Sequence, residues 1–269
     1  MSRRKSPPSD WVDATLSESR GIRYLHLGTP WIQGAMRVSN PLKLELEYIQ
    51  RMMVWLLWRE LDAWRSGHAV QLGLGAAAIT RYCHKQLGMR TTAVELNPTV
   101  ISVCRAWFAL PPDGKRLQVI QGDAAAYAAD SAHAGTADAL CVDLYDHEAA
   151  SPVLDDESFY AACHRLLTDD GVMTVNLFGR EASFERSTER IKAAFGCDRV
   201  LRLKATKDGN TIVVAWRGPP LPPRETLMQR AERIAAELKL PAPRWVKLLG
   251  PIDAEDSRPP RPGERLGLE

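Results

Sequence analysis

The sequence predicts an α/β protein built on a doubly wound, mostly parallel β-sheet, with a C-terminal antiparallel hairpin and a small N-terminal antiparallel β element. Three observations carry this expectation. From residue 69 onward, short apolar runs alternate with segments of helical period, the pattern of a parallel sheet with helices on both faces. Before residue 38 the runs "WVDATLSE", "IRYLHLG" and "WIQGAMRV" alternate and are broken by "SESRG" and "GTP", as in hairpins. Late in the chain, "RVLRLKATKDGNTIVVAW" sets Asp208, Gly209 and Asn210 between two β-rich runs, the residue types of a tight turn.

The elements follow in order. Residues 1–39 are expected to hold an irregular, Pro- and charge-rich start (1–10) and the β element. Residues 40–217 form the main domain, and residues 218–269 a linker, one helix and a tail. At "SNPLKLELEYIQRMMVWLLWRELDAW" the period becomes helical: Asn40 can cap and Pro41 suits the first helical position, while Tyr48, Met52, Trp55, Leu56 and Leu61 share a broad face. Trp55, Trp58 and Trp64 are expected in the core or an oligomer interface. "AVQLGLG", "TTAVEL", "LQVIQGD", "ALCVDLYD" and "GVMTVNLFG" read as strands. "AAITRYCHKQLG", "NPTVISVCRAWF", "DESFYAACHRLL" and "SFERSTERIKAAFG" read as helices, the second with Asn97 as cap and Pro98 at its first position. After the linker "GPPLPP", Leu227, Met228, Ala231, Ile234, Ala235 and Leu238 make a docking stripe, with the arginines of 224–233 on its solvated side. The segment 252–269 is expected to be irregular.

Composition narrows the classes. The 269 residues are 45% hydrophobic and 25% charged with net charge +2, which lacks the basic footprint of a nucleic-acid binder. The most apolar run, "MMVWLLW" (52–58), is too short to span a bilayer. The basic N-terminus is followed by no apolar stretch of signal-peptide type, and the five scattered cysteines suit a reducing compartment, so a cytoplasmic protein is expected. Histidines and cysteines show no metal-ligand spacing, and no metal is expected.

Function is sought at the strand ends, because open α/β sheets bind ligands beyond the carboxyl ends of their strands, where strand order reverses. The first strand of the series ends in "GLGAAA", with Gly73 and Gly75, which allow close backbone approach. The second ends at Glu95, placed to accept ribose hydroxyls. The third ends in "QGDA", where Asp123 can accept from an adenine amino group or cap the helix beginning at Ala124. The fourth ends in "DLYD", with Asp143 and Asp146. Glycine turn and acids together point to a nucleoside. The absence of G-x-x-x-x-G-K-[ST] removes the P-loop, and with no second mononucleotide half, an adenosyl sulfonium fits better than a dinucleotide. His147, in the loop, reads as solvated.

On "LGTPWIQ", "LEYIQRMM", "GLGAAAITR", "AVELNPTVI", "VIQGDAAAY", "CVDLYD…SPVLDDESFY" and "DDGVMTVNLFG", the chain resembles the spermidine synthase (polyamine aminopropyltransferase) family, on the Rossmann-like methyltransferase fold. The resemblance implies aminopropyl transfer from decarboxylated S-adenosylmethionine to a diamine such as putrescine, by a cytoplasmic homo-oligomer, a dimer. It implies that Asp143 deprotonates the attacking amine, that Asp146 and Tyr48 help place it, and that Gln33, Gly73, Gly75, Glu95, Asp123 and Ala124 line the cofactor. The family's G-G-G-D-G-G corresponds to Gly73-Leu74-Gly75-Ala76-Ala77-Ala78, with Ala76 at the acid's position. A methyltransferase using intact S-adenosylmethionine and a non-catalytic nucleoside-binding homologue therefore stay open.

Overall fold

A computed structural model describes residues 11–60, 62–144, 156–178 and 181–253. The N-terminal sheet is antiparallel, ordered β1 (Ala14–Ser19), β2 (Ile22–Leu27), β3 (Gly34–Arg37). Its first hairpin turns on Arg20 and Gly21, both with positive φ, the two-residue turn whose twist matches that of the strands.

The main sheet contains β4 (His68–Leu72), β5 (Arg90–Glu95), β6 (Leu117–Gln121), β7 (Ala137–Val142), β8 (Leu167–Leu177), β9 (Val200–Leu203), β10 (Thr211–Trp216) and β11 (Leu249–Pro251). Among the described residues their order is β11-β9-β10-β8-β7-β4-β5-β6. Strands β8, β7, β4, β5 and β6 run parallel, and β10, β9 and β11 add antiparallel. The chain runs outward from β4 to β5 and β6, then returns to place β7 on the other side of β4. The switch point lies between β4 and β7.

Period-two alternation assigns each face its core. Ala69, Ala139, Cys141, Val172, Ile212 and Val214 face one layer. That layer holds α1 (Glu47–Met52), the 3-10 turn Met53–Trp58, α2 (Ala78–Arg81) with its π continuation Tyr82–Gln86, α7 (Arg224–Leu238) and α8 (Ala242–Leu248). Val70, Leu72, Leu140, Val142, Met173 and Val175 face the other layer, with α4 (Ala124–Ala129), α5 (Glu157–Leu166) and α6 (Glu181–Phe195). Helix α3 (Pro98–Trp107), capped by Asn97 as expected, packs with the N-terminal sheet around Leu25, Met36, Leu74 and Phe108.

Four expectations are corrected. The helix expected from Pro41 starts at Glu47; the carbonyl of Pro41 accepts from buried Arg81 Nε at 3.1 Å and that of Leu44 from Gln50 Nε2 at 2.7 Å, so one long-range and one local side-chain contact hold 41–46 in turn and loop. Arg230, expected to be solvated, is buried and donates to the Leu57 carbonyl at 2.9 Å, tying α7 down. Ile252 is buried and Asp253 pairs with Lys192 at 2.5 Å, so order extends past residue 251. Finally, β11 at the sheet edge pairs with β9, although "LGP" carries no strand signal of its own. Trp55 and Trp64 are core residues, and Trp58 packs on Trp216 with ring centroids 5.3 Å apart. Among the described residues, no helix is long and apolar enough to cross a membrane.

Candidate active site

The switch point assembles the site. Beyond β4 the chain turns at Gly73, whose φ is +86° and whose position would put a Cβ 2.0 Å from the Asp143 carbonyl oxygen. This glycine is thus required by the neighbouring strand end: it lets the backbone of Asp143 close over the turn, where its N–H reaches the Leu72 carbonyl at 2.9 Å. Gln71, a polar residue inside an apolar strand, clamps the turn from beneath by donating to the Gly73 carbonyl at 2.7 Å. Its own amide oxygen accepts from Thr80 at 2.5 Å.

Glu95 closes β5 over the same turn. One carboxylate oxygen accepts the N–H of Leu74 at 2.9 Å and the other that of Asn97 at 2.9 Å. Burial pushes this carboxyl above its ordinary value, against the backbone N–H groups that hold it ionised. Next to it, Asp123 caps α4 through Oδ1, accepting from the Ala126 N–H at 2.7 Å, and Ala124 is the first residue of that helix. The capping function is thus present, and the second oxygen of Asp123 keeps its acceptor capacity.

Gln33 enters from the N-terminal sheet. Its carbonyl would lie 3.2 Å from a Cβ at Gly75, and a Cβ at Gly34 would fall 2.5 Å from that of Ala76. The sheet therefore sits directly on the glycine loop, and Ala76 is sealed beneath Gly34.

Asp143 ends the arc. Asn176 Nδ2 donates to its Oδ1 at 2.8 Å, and Tyr48 forms a second side-chain hydrogen bond to the carboxylate. Burial raises the Asp143 pKa, while Asn176 and Tyr48 pull it down by favouring the charged form. Asn176 is oriented in turn, its Oδ1 accepting from Asn210 Nδ2 at 3.1 Å. Thr174, Asn176 and Phe178 alternate along β8 and just past it, reaching respectively the Met52 carbonyl, Asp143 and the Trp31 ring edge, 6.4 Å between centroids. One face of β8 thus runs from core to mouth.

Of the residues singled out in the sequence, the fold brings Gln33, Tyr48, Gly73, Gly75, Glu95, Asp123, Ala124 and Asp143 to one edge. Asp146 and His147 lie outside the described residues. Asn176, Asn210 and Gln71 were not foreseen; the signal for the first and last was a polar letter inside an otherwise apolar strand. Among the described residues no group of three or more His, Cys, Asp or Glu could hold a metal.

Known proteins resemble this chain in sequence and fold. The spermine/spermidine synthase domain matches residues 76–194. The chain is 32% identical over 235 residues to a polyamine aminopropyltransferase of Neisseria meningitidis serogroup A, covering 87% of each. It is 34% identical over 230 residues to one of Chromobacterium violaceum, covering 85% of each. The chain belongs to the spermine/spermidine synthase family. It is an enzyme of the transferase class. The doubly wound sheet of methyltransferase type is borne out by solved structures. A probable spermidine synthase from Corynebacterium glutamicum aligns with a TM-score of 0.70 at 16% identity, over 95% of each chain. Human methyltransferase-like protein 13 in complex with SAH aligns at 0.63 with 22% identity, over 72% of this chain and 93% of that one.

Proposed function

We propose that this family member transfers an aminopropyl group from decarboxylated S-adenosylmethionine to a diamine such as putrescine. One observation carries the reading: the buried carboxylate of Asp143, held by Tyr48 and Asn176, stands at the strand-order switch beside Glu95 and the glycine loop. The curated relatives' name, polyamine aminopropyltransferase, supports it.

Glu95 accepts the ribose hydroxyls; each of its oxygens spends one acceptor position on a backbone N–H and keeps another. Asp123 takes the adenine amino group on the oxygen not used for capping, next to Ala124, while Gln33, Gly73 and Gly75 bound the thionucleoside. On the acceptor side, an alkyl ammonium has a pKa of ~10.4, so freeing its lone pair at neutral pH costs about 5 kcal/mol. Asp143 attracts the cation, aligns it and takes the proton as nitrogen attacks the carbon next to sulfur. The N–C bond forms, the C–S bond breaks, and the bonding pair stays on sulfur, which becomes a neutral thioether. Burial raises the affinity of Asp143 for that proton. Tyr48 lines the amine channel, and Asp146 helps to place the second substrate.

A second reading, methyl transfer from intact S-adenosylmethionine, is favoured by one feature. Residues 73–78, Gly-Leu-Gly-Ala-Ala-Ala, present no ionisable side chain to repel the carboxylate of the intact cofactor. Mass spectrometry of putrescine incubated with each cofactor form separates the two. The expected product, one aminopropyl unit heavier, forms only with the decarboxylated donor; a methylated amine from the intact donor would replace the proposal.

A cytoplasmic homodimer completes the proposal. All five cysteines are free thiols, and Leu16, Val38 and Trp107 stand exposed around the N-terminal sheet, apolar surface that an interface would cover. Sedimentation equilibrium at twice the chain mass is the expected result.

A further inference from the structure

We propose that the cavity between α1, the turn 204–210 and α8 binds a small anion bearing carboxylate or phosphate groups, and that its occupancy steadies the turn that orients Asp143. The site lies outside the machinery described above and uses none of its substrate-facing groups.

The cavity has a volume of about 370 Å3, and its lining includes Glu47, Gln50, Arg51, Lys207, Arg244 and Trp245. Three cations thus face one carboxylate, and that carboxylate is already committed: Glu47 Oε1 pairs with Arg51 at 2.7 Å. Arg51 is only 7% exposed and also donates to the Lys204 carbonyl, which leaves unused donors on a guanidinium that offers five. Lys207 and Arg244 form no ion pair among the described residues. Two unpaired cations and a buried guanidinium around one recess repel each other, and an anion relieves all three. The same charges exclude a diamine, so this recess is not a route for the acceptor substrate. Trp245, Pro241 and Leu248 add an apolar wall, the mixture of apolar surface and few fixed polar groups typical of small-molecule sites.

Position gives the cavity its consequence. Lys207 follows Thr206, whose N–H donates to the Asn210 carbonyl at 2.8 Å and whose Oγ1 accepts the Asn210 N–H at 3.1 Å. Asn210 then holds Asn176 at 3.1 Å, and Asn176 holds Asp143 at 2.8 Å. An anion bridging Lys207 on the turn, Arg244 on α8 and Arg51 on α1 clamps from outside the turn that sets the proton-accepting carboxylate of Asp143 from inside.

The test reads binding and exchange, not turnover, so it stands or falls apart from the transferase reading. Thermal unfolding is followed with inorganic phosphate and with citrate, each against sodium chloride of matched ionic strength. A saturable rise in midpoint of roughly 2–4 °C is expected at about five times the dissociation constant. Lys207→Ala/Arg244→Ala, two exposed positions, is expected to lose that rise, and Lys207→Arg/Arg244→Lys to keep most of it. A response to phosphate alone identifies a phosphoryl ligand, and one to citrate alone a carboxylate. No saturable response to either, or an undiminished one in the alanine double variant, overturns the site. With the anion bound, amide exchange at Thr206 and Asn210 is expected to slow severalfold; unchanged exchange at saturation overturns the link to Asp143.

Discussion

The two ends of the parallel sheet treat buried polar groups in opposite ways. At the amino end, His68 is bonded on both ring nitrogens, to the Thr136 carbonyl at 3.1 Å and to Thr92 Oγ1 at 2.8 Å. Asp138 accepts the His68 N–H at 2.7 Å and pairs with Arg59 at 3.4 Å. Burial, then the charge of Arg90, depress the imidazole to about 4 and keep it neutral. Apart from Arg59 Nε, which is buried without a partner among the described residues, each group answers another. At the carboxyl end, Glu95 and Asp143 are half-buried, and each is bonded so as to be held in place while retaining acceptor capacity. Burial raises both acids. A closed polar cluster marks the structural end, and a half-satisfied one marks the end proposed to do chemistry.

The largest expected effect breaks the carboxyl end. Asp143→Asn keeps the shape and the hydrogen-bonding positions but cannot accept the proton, so kcat should fall roughly 10²–10⁴-fold with cofactor binding intact. Single-turnover rates near those of the parent chain would remove Asp143 from its role. Next is Glu95→Gln. A hydrogen bond to a charged group contributes about 1.5–3 kcal/mol, so KM for the nucleoside donor should rise about 10- to 100-fold, with KM for the amine little changed. A loss shared equally by both substrates would instead mean that Glu95 only supports the loop through Leu74 and Asn97.

A subtler change sharpens the comparison. In the proposed mechanism Asp143 works in its ionised form, so the acid limb of the kcat/KM profile should lie above the ordinary aspartate value of 3.8, because burial raises its pKa. Asn176 and Tyr48 stabilise the ionised form. Asn176→Ala or Tyr48→Phe should therefore move that limb to still higher pH, and lower turnover at neutral pH by about tenfold. A drop in rate with the limb unmoved would assign both residues to packing alone.

How much of this was legible follows from what is local. Glu95, Asp123 and Asp143 could be read because each ends a strand, and strand ends are punctuated in sequence by glycine, cap residues and a change of period. Asn97 and Pro98 announced α3 for the same reason. Asn40 and Pro41 carried equally good cap chemistry and misled, because buried Arg81, forty residues away, takes the Pro41 carbonyl; propensity yields to such contacts. Asn176 and Asn210 matter only through a partner on another strand, and no local pattern carries that information. The same holds for Arg230, whose acceptor at Leu57 lies at the far end of the chain.

The smallest effect tests both ends at once, because their contributions to stability have opposite signs. The native imidazole of His68 resists protonation down to about 4, against 6.5 for the ordinary group. Between these values the unfolded chain binds a proton that the native chain does not, so this end loses stability as pH falls from 6.5 toward 4. The raised acids do the reverse: just above the ordinary carboxylate range the native chain is the better proton binder, and acidification favours it. His68→Gln should therefore flatten the loss of unfolding midpoint between pH 6.5 and 4, by on the order of a few degrees. Asp143→Asn should steepen it, since the opposing contribution is gone. Midpoint-against-pH slopes that change in the same direction in both variants would mean that the two ends are not electrostatic opposites, and the contrast between a closed structural cluster and an open functional one would lose its physical basis.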